Sequence, residues 1–172
     1  MTVDRFESFV LEKSSRLYRY AYFLIRNRED AHDTLQETFA DLWKMNERLD
    51  SYQSPEALAL NIIRNKCLDR IRFSYRKDNL EKELRKQLSG SASETPETIL
   101  EGGDAQSLID EIVRSLPAEQ QEILFLKNVE GLTCEEISGL LQIKVNTVEV
   151  TLSRIRKNIR SKYDSIQHYK AL

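Results

Sequence analysis

The last third of the chain combines a helix-start signal with a second helix that carries polar and basic side chains. Thr133 and Glu136 stand three residues apart before an apolar run, which is the spacing of a capping box, where each side chain bonds the backbone amide of the other residue. The helix that follows presents hydrogen-bonding groups and cations opposite its apolar stripe: Asn146, Glu149, Val150, Ser153, Arg154 and Lys157. Such groups contact base edges and phosphates in the major groove. The pattern predicts a helix-turn-helix that binds duplex DNA.

Apolar residues at helical spacing predict that the two helices pack together at a corner. Their positions are Ile137, Leu140, Leu141, Val145, Val148, Leu152, Ile155 and Ile159. The stripes of the two helices are expected to bury each other. Arg156, Arg160 and Lys162 flank the polar face, where we expect contacts to phosphates. The alternative is that these basic residues only form a solvated helix face.

Composition limits the class of protein. The chain has 172 residues, of which 31% are charged and 40% hydrophobic, and its formal net charge is -2. This balance is typical of a folded protein with one ordinary domain or two small ones. The slight negative charge argues against a protein that coats DNA without sequence preference. Because the apolar runs are short and interrupted, we expect no membrane insertion and a cytoplasmic location.

Residues that build metal sites and catalytic sites are sparse. Cys67 and Cys134 lack the paired spacing of a zinc site, and His32 and His168 are far apart in the sequence. Cys67 falls on an apolar helical stripe, which predicts a small core residue. The sequence also lacks a phosphate-binding loop and a nucleophile paired with a base. We therefore expect no metal, no cofactor and no catalytic residue.

Three helices are predicted in the N-terminal half. The first spans about residues 6–25 and buries an apolar stripe formed by Phe6, Phe9, Val10, Leu17, Tyr18, Ala21, Leu24 and Ile25. The second spans about residues 29–48 and buries Ala31, Leu35, Thr38, Phe39, Leu42 and Trp43. Ser54 opens the third helix as its cap, with Pro55 at the first helical position. This helix should reach about Tyr75.

The third helix carries a second basic patch and leads into a change of composition. One side holds Asn61, Asn65, Asp69, Arg72 and Arg76, flanked by Arg64, Lys66 and Arg70. The stretch 78–87 is rich in Lys, Glu and Leu and is able to extend the helix. Residues 89–104 then contain three Ser, three Gly and few apolar residues, as in a flexible linker. No strand pattern appears. We predict an all-α protein of two small helical domains, 1–78 and 105–172, joined by a linker at 79–104, with the helix-turn-helix in the second.

Five stretches together resemble bacterial RNA polymerase sigma factors of the sigma-70 family, in the extracytoplasmic-function (ECF) group. They are residues 30–43 (DAHDTLQETFADLW), 62–72 (IIRNKCLDRIR), 116–117 (LP), 131–133 (GLT) and 146–148 (NTV). They occur in the family's order, and the resemblance as a whole extends over nearly the whole chain. The resemblance implies a promoter-specificity subunit, which binds core RNA polymerase and directs transcription initiation through two promoter elements.

The resemblance also implies roles for residues of the first domain. In the family the acidic face of the second helix binds core polymerase, and the matching residues are Asp33, Gln36, Glu37 and Asp41. The third helix and the loop before it hold the minus-ten element, and the matching residues are Ser51, Tyr52, Asn61, Arg64, Asn65, Asp69 and Arg72. A base is extruded from the stack there, so stacking and hydrogen bonds must offset the unstacking. Tyr52 either stacks on a base or folds back onto the core, and simple solvation is the alternative for the carboxylates.

The C-terminal helix-turn-helix would recognise the minus-thirty-five element as duplex DNA. The implied contacts are Asn146, Thr147, Val150, Ser153, Arg154, Arg156 and Lys157. The chain departs from the family where Gly is common at the corner, because it has Gln142. It also has Glu149 and Thr151 where Lys and Arg are common, and Leu58 where an aromatic residue is common. These departures weaken the electrostatic attraction of the helix-turn-helix to DNA and leave the recognised promoter sequence undetermined.

The implied partners are bacterial core RNA polymerase, promoter DNA and an anti-sigma factor, since members of this group are commonly masked by such a protein. Two other functions are compatible with the residues alone. One is a stand-alone helix-turn-helix regulator, which would bind duplex DNA without polymerase. The other is a helical partner-binding protein without DNA binding. Initiation of transcription with core polymerase would distinguish a sigma factor from both alternatives.

Overall fold

The computed structural model describes residues 1–88 and 105–170, and this part contains eight α-helices and no strand. The helices are α1 (Val3–Ile25), α2 (Arg28–Lys44), α3 (Asn46–Leu49), α4 (Pro55–Leu88), α5 (Ala105–Arg114), α6 (Ala118–Asn128), α7 (Cys134–Leu141) and α8 (Val145–Lys170). The predicted all-α fold is confirmed. The chain divides into two compact units, of which the first holds α1 to α4 and the second holds α5 to α8. Within the described part, no helix has the length and apolar character needed to span a membrane.

Local sequence signals set the helix boundaries in the first unit. Arg26 ends α1 in the left-handed conformation with φ 60°, and the Asn27 side chain then accepts the amides of Glu29 and Asp30 at the start of α2. Ser54 caps α4 through a 3.1 Å bond from the Ala57 amide to its hydroxyl. These bonds satisfy amides that have no partner inside a helix. The predicted Ser54 cap is confirmed.

The core of the first unit lies between α1, α2 and α4. Its fully buried side chains are Leu17, Tyr20, Ala21, Ala31, Thr34, Thr38, Leu42, Leu49, Ala59, Ile63 and Cys67. Cys67 is therefore the core residue that its stripe predicted. The predicted stripe of α1 included Tyr18 but omitted Tyr20, which is fully buried, whereas Tyr18 is half-buried.

The end of α2 differs from the prediction. The helix stops at Lys44, because the Met45 amide bonds the Leu42 carbonyl in a tighter turn, and the short α3 then inserts Leu49 into the core. Trp43 was expected in the core, and this is wrong: its ring packs edge-on against Phe6 at 5.0 Å, but 43% of the residue is exposed. Trp43 is the second-last residue of α2, and its ring lies at the edge of the core instead of within it.

Helix α4 is longer than predicted. It continues past Tyr75 to Leu88, so residues 79–88 of the predicted linker are helical. The segment 56–89 contains neither Pro nor Gly, and its second half is built mainly from Lys, Glu, Leu and Arg, which favour helix. The rest of the predicted linker, 89–104, lies outside the described residues.

The second unit packs three helices against α8. Its buried apolar side chains are Ile112, Leu116, Ile123, Leu126, Leu132, Ile137, Leu140, Val148, Leu152 and Ile155. Helix α6 ends at Asn128, and Gly131 then turns the chain with φ 69°. This conformation suits glycine, which lacks the Cβ that makes it costly for other residues. The turn brings the Leu132 amide to the Leu126 carbonyl and positions Thr133 to start α7.

Candidate nucleic-acid and protein interfaces

The start of α7 is fixed by the predicted capping box. The Glu136 amide donates to the Thr133 hydroxyl at 3.2 Å, and the Thr133 amide donates to the Glu136 carboxylate at 2.8 Å. The two reciprocal bonds satisfy amides at the exposed end of the helix. They fix where α7 begins, and its apolar residues Ile137 and Leu140 are buried where α7 packs on α8.

The corner between α7 and α8 consists of residues 142–144. Gln142 takes the left-handed conformation with φ 56°, and its amide bonds the Ser138 carbonyl. The Ser138 hydroxyl donates to the Ile143 carbonyl across the corner. This chain therefore makes with Gln142 a turn that glycine adopts without strain.

Helix α8 has one buried side and one exposed side. Val148, Leu152 and Ile155 are buried in the seam. The opposite surface, which we call the α8 ridge, is exposed or nearly so along its length and consists of Asn146, Thr147, Val150, Ser153, Arg154 and Lys157. Its spacing places these side chains within about half of the helix circumference. The α8 ridge thus offers hydrogen-bonding groups, two cations and one apolar side chain to a groove of DNA.

Arg156 does not lie on the α8 ridge. Together with Arg160 it lines a surface groove of about 370 Å³, whose other walls come from α5, α6 and the later turns of α8. The groove residues are Ile109, Val113, Leu124, Asn128, Ile159 and Tyr163. Arg156 was predicted among the DNA contacts, and its flanking position suits the phosphate backbone rather than a base.

The loop between α3 and α4 is held at its α3 end. Leu49 is fully buried, and the Ser51 hydroxyl donates to the Arg48 carbonyl at 2.6 Å. Arg5 of α1 bonds Asp50 at 3.2 Å. Tyr52 follows this fixed turn and is 44% exposed. Its ring therefore lies at the surface, next to the start of α4.

Helix α4 presents a second exposed row of predicted contacts. Asn61, Asn65, Asp69 and Arg72 recur at three- and four-residue spacing, so they occupy one side of the helix. The Asn61 amide donates to the Ala57 carbonyl at 2.9 Å, and Arg72 pairs with Asp69 at 3.3 Å. Arg64 is half-buried and lies beside this row. The row is nearly charge-balanced, which limits nonspecific attraction of phosphate.

Two carboxylates of the predicted polymerase site pair with α4. Arg70 lies 2.9 Å from Asp30 and 2.6 Å from Glu37, and Lys66 lies 2.8 Å from Asp41 and 3.5 Å from Glu37. We call these five side chains the α2–α4 ladder. Lys66 and Arg70 were predicted as part of the basic patch of α4, but their contacts are to α2.

The ladder perturbs the ionisation of its members. Hydrogen bonds from Lys66 and then Lys44 lower the pKa of Asp41 from 3.8 to about 2. The same bond from Asp41 raises the pKa of Lys66 above its ordinary value. Both groups therefore stay charged at neutral pH.

The other two predicted polymerase contacts, Asp33 and Gln36, are not members of the ladder. Asp33 is exposed, and no salt bridge to it occurs in the described ranges. The Gln36 amide contacts the His32 ring at 3.3 Å. The predicted site is therefore divided between two carboxylates that are ion-paired with α4, Glu37 and Asp41, and two exposed groups outside the ladder. The spacing of Asp30, Glu37 and Asp41 against Lys66 and Arg70 was the sequence signal for this pairing, and it was not recognised.

Both units match known families. The family described as Sigma-70 region 2 matches residues 9–77, and Sigma-70, region 4 matches residues 106–159. The ECF RNA polymerase sigma factor SigE of Mycolicibacterium smegmatis is 32% identical over 163 residues, which span 90% of this chain and 60% of that protein. The factor SigW of Bacillus subtilis is 24% identical over 168 residues, covering 91% of this chain and 88% of that one.

A solved structure has the same fold. The sigma factor RpoE from Bartonella quintana, determined in complex with the anti-sigma factor NepR, aligns with a TM-score of 0.68 at 18% identity and covers 94% of this chain and 98% of that one. The two matched regions occur in the same chain and in the family's order, one in each compact unit. The chain therefore belongs to the sigma-70 family of RNA polymerase sigma factors, whose members are promoter-recognition subunits, and to its ECF group.

Proposed function

We propose that this chain is a promoter-specificity subunit of RNA polymerase that recognises a minus-ten and a minus-thirty-five element. The observation that carries the proposal is the α8 ridge, which is exposed opposite a buried seam in the unit that matches region 4. An exposed row on α4, in the unit that matches region 2, supports the second contact. The proposed domains are 1–78 and 105–172.

In the minus-thirty-five contact, α8 enters the major groove of duplex DNA. Asn146, Thr147 and Ser153 donate or accept hydrogen bonds at base edges or the nearest phosphates. Val150 is 38% exposed and supplies the apolar surface that suits a thymine methyl group. Arg154, Arg156 and Lys157 bind phosphates along the groove and set the register of α8.

In the minus-ten contact, the first unit binds DNA whose two strands have been separated. The exposed Tyr52 ring stacks on an extruded base, and Ser51 beside it contacts the backbone. The contacts along α4 are Asn61, Arg64, Asn65, Asp69 and Arg72. Since Asp69 and Arg72 already pair with each other, each phosphate contact by Arg72 must compete with that exposed ion pair.

Core polymerase binds the outer side of α2. Asp33 and Gln36 are its accessible groups, and Glu37 and Asp41 add partly exposed carboxylates. The chain acts there as a recognition subunit without catalysis of its own, in the cytoplasm. An anti-sigma factor is a further proposed partner, since the structural relative RpoE was determined with one.

The test is to mix the purified chain with core RNA polymerase, isolate the complex and transcribe a genomic promoter library. The expected result is a stable complex that initiates at promoters sharing two spaced elements, with core enzyme alone as the control. Duplex DNA binding by the free chain, without any complex with several core enzymes, would instead favour a stand-alone regulator. A complex that initiates nowhere and forms no sequence-specific crosslinks to DNA would favour a partner-binding protein.

A further inference from the structure

Lys66 and Arg70 lie on α4 but on a different side from its exposed row. They stand one helical turn apart, and their charged groups contact carboxylates of α2. Asn65 and Arg72 of the exposed row instead face solvent. About a quarter to a third of each side chain is exposed, namely 26% for Lys66 and 30% for Arg70. Their charges are therefore directed at the helix that we propose for polymerase binding.

The guanidinium of Arg70 connects two carboxylates. Its Nη1 lies 2.9 Å from Oδ1 of Asp30, and its Nη2 lies 2.6 Å from Oε1 of Glu37. Asp30 and Glu37 are two turns apart on α2, and their side chains converge on this single planar group. Arginine can bond both because its donors have a fixed fork geometry, which lysine lacks.

Lys66 completes the arrangement at the next turn. Its ammonium lies 2.8 Å from Oδ2 of Asp41 and 3.5 Å from Oε2 of Glu37. Both oxygens of Glu37 thus have a cationic partner, one on Lys66 and one on Arg70. These contacts restrict the rotamers of Glu37 and Asp41.

The two carboxylates are restrained without being removed from solvent. Half of the Glu37 side chain and 35% of the Asp41 side chain remain exposed. A carboxylate has about four lone-pair sites, so each can accept further bonds from an incoming cation. Restraining a long side chain before binding reduces the entropy lost on association.

We propose that Lys66 and Arg70 are positioning residues for polymerase binding, holding Glu37 and Asp41 toward cationic side chains of the partner and making no contact with promoter DNA. The inference rests on the proposed function, since it assumes that α2 binds core polymerase. It assigns these two cations to the protein interface, although their charge and their helix alone suggest DNA binding.

A double-mutant cycle tests whether Arg70 acts through Glu37. The dissociation constant for core polymerase is measured for the full-length wild type, Arg70→Gln, Glu37→Gln and the double variant. We expect Arg70→Gln to weaken binding by roughly tenfold in the wild-type background and by less than about twofold when Glu37 is already Gln, since residues in one network couple and independent residues add. Equal losses in both backgrounds would overturn the proposal.

Arg72→Gln is the matched control, because it removes the same charge from the exposed row of the same helix. It should leave polymerase affinity unchanged and weaken binding of a single-stranded minus-ten oligonucleotide by the assembled holoenzyme. Arg70→Gln should leave the oligonucleotide affinity of the holoenzyme unchanged. Weaker oligonucleotide binding by Arg70→Gln, with unchanged polymerase binding, would assign Arg70 to DNA and contradict the proposal.

Arg70→Lys is a second variant, which tests the proposal even if Arg70→Gln fails to fold. It keeps the charge but lacks the two forked nitrogens that bond Asp30 and Glu37 separately. We therefore expect a polymerase affinity between those of wild type and Arg70→Gln, with far-ultraviolet circular dichroism unchanged. Full wild-type affinity in Arg70→Lys would show that only the charge matters and would overturn the positioning role. Failure of the wild type to bind polymerase would refute the proposed function, whereas binding with an additive cycle would refute only this inference.

Discussion

Lys66 of α4 and Asp41 of α2 form an ion pair, with 2.8 Å between Nζ and Oδ2. The pair joins the helix proposed for polymerase binding to the helix proposed for minus-ten recognition. It does so beside the buried core, where α2 and α4 already pack. The two functional surfaces of the first unit are therefore adjacent parts of one rigid packing arrangement, and a change at one can be measured at the other.

Asp41 gives the first unit a predictable dependence on acid. Its pKa is about 2 in the folded chain against an ordinary 3.8, so its contribution is fully present above about pH 4 and is lost as the pH falls through about 2. Because the pair is partly exposed, Asp41→Asn should lower the free energy of unfolding at pH 7 by only about 0.5–1 kcal/mol. The difference from wild type should shrink toward pH 2.

Urea unfolding followed by tryptophan fluorescence measures this effect in the first unit, since Trp43 is the only tryptophan in the chain. Glu47→Gln, which removes an exposed carboxylate from α3, is the control and should change the unfolding free energy little at any pH. A difference between Asp41→Asn and wild type that stays constant from pH 7 to pH 2 would contradict the assignment.

The capping box supports the helix-turn-helix. Thr133→Ala removes the hydroxyl that accepts the Glu136 amide, and we expect it to destabilise α7 by about 1 kcal/mol. Amide hydrogen exchange in α7 should accelerate accordingly. Thr133→Ser keeps the hydroxyl and should exchange at close to the wild-type rate. Equal acceleration in both variants would mean that the methyl group of Thr133, not the cap, stabilises the helix.

The corner at Gln142 is a site for stabilisation. Its φ of 56° costs a non-glycine residue roughly 1 kcal/mol, so Gln142→Gly should slow amide exchange across α7 and the start of α8. Gly131→Ala makes the opposite change at φ 69° and should accelerate exchange, although an added Cβ would meet nothing within 4 Å. Destabilisation by Gln142→Gly would show that its side chain makes contacts that outweigh the backbone strain.

Arg154 tests the phosphate contacts of the α8 ridge. In the holoenzyme, Arg154→Ala should weaken binding to duplexes of every minus-thirty-five sequence and reduce the slope of log K against log salt by about one. Binding isotherms at several salt concentrations give both quantities. Glu149→Gln, which removes an exposed negative charge next to the ridge, should strengthen binding. Unchanged affinity and slope in Arg154→Ala would remove Arg154 from the interface.

Asn146 tests base recognition instead. Asn146→Ala should cost about 1–3 kcal/mol on the preferred element and much less on elements that differ at one base pair. A panel of single-base-pair substitutions identifies that position. A uniform loss over the whole panel would show that Asn146 contacts the backbone.

Features that depend on short sequence separations were predictable. The Thr133–Glu136 capping box, the Ser54 cap and the seam of Val148, Leu152 and Ile155 each depend on residues within a few turns of one helix. The all-α fold followed for the same reason, since helical periodicity is a local signal. The family resemblance added the order of the two regions.

Features that depend on residues far apart in the sequence were not predictable from the sequence. The burial of Tyr20 and the exposure of Trp43 were set by which helices lie next to them, and so was the burial of Leu49, which follows the end of α2. The placement of Arg156 on a groove with α5 and α6 likewise depends on tertiary packing.

The sequence by itself determined which helices form, apart from the short α3, what caps them and which of their sides are apolar, because these depend on backbone preferences and spacing along one segment. Only the tertiary structure decided which charges remain available. Lys66 and Arg70 differ little from Arg72 in the sequence, yet the packing of α2 on α4 pairs the first two with Asp30, Glu37 and Asp41. Ion pairs join groups by distance in space, which helix packing sets and the sequence spacing of either helix alone does not.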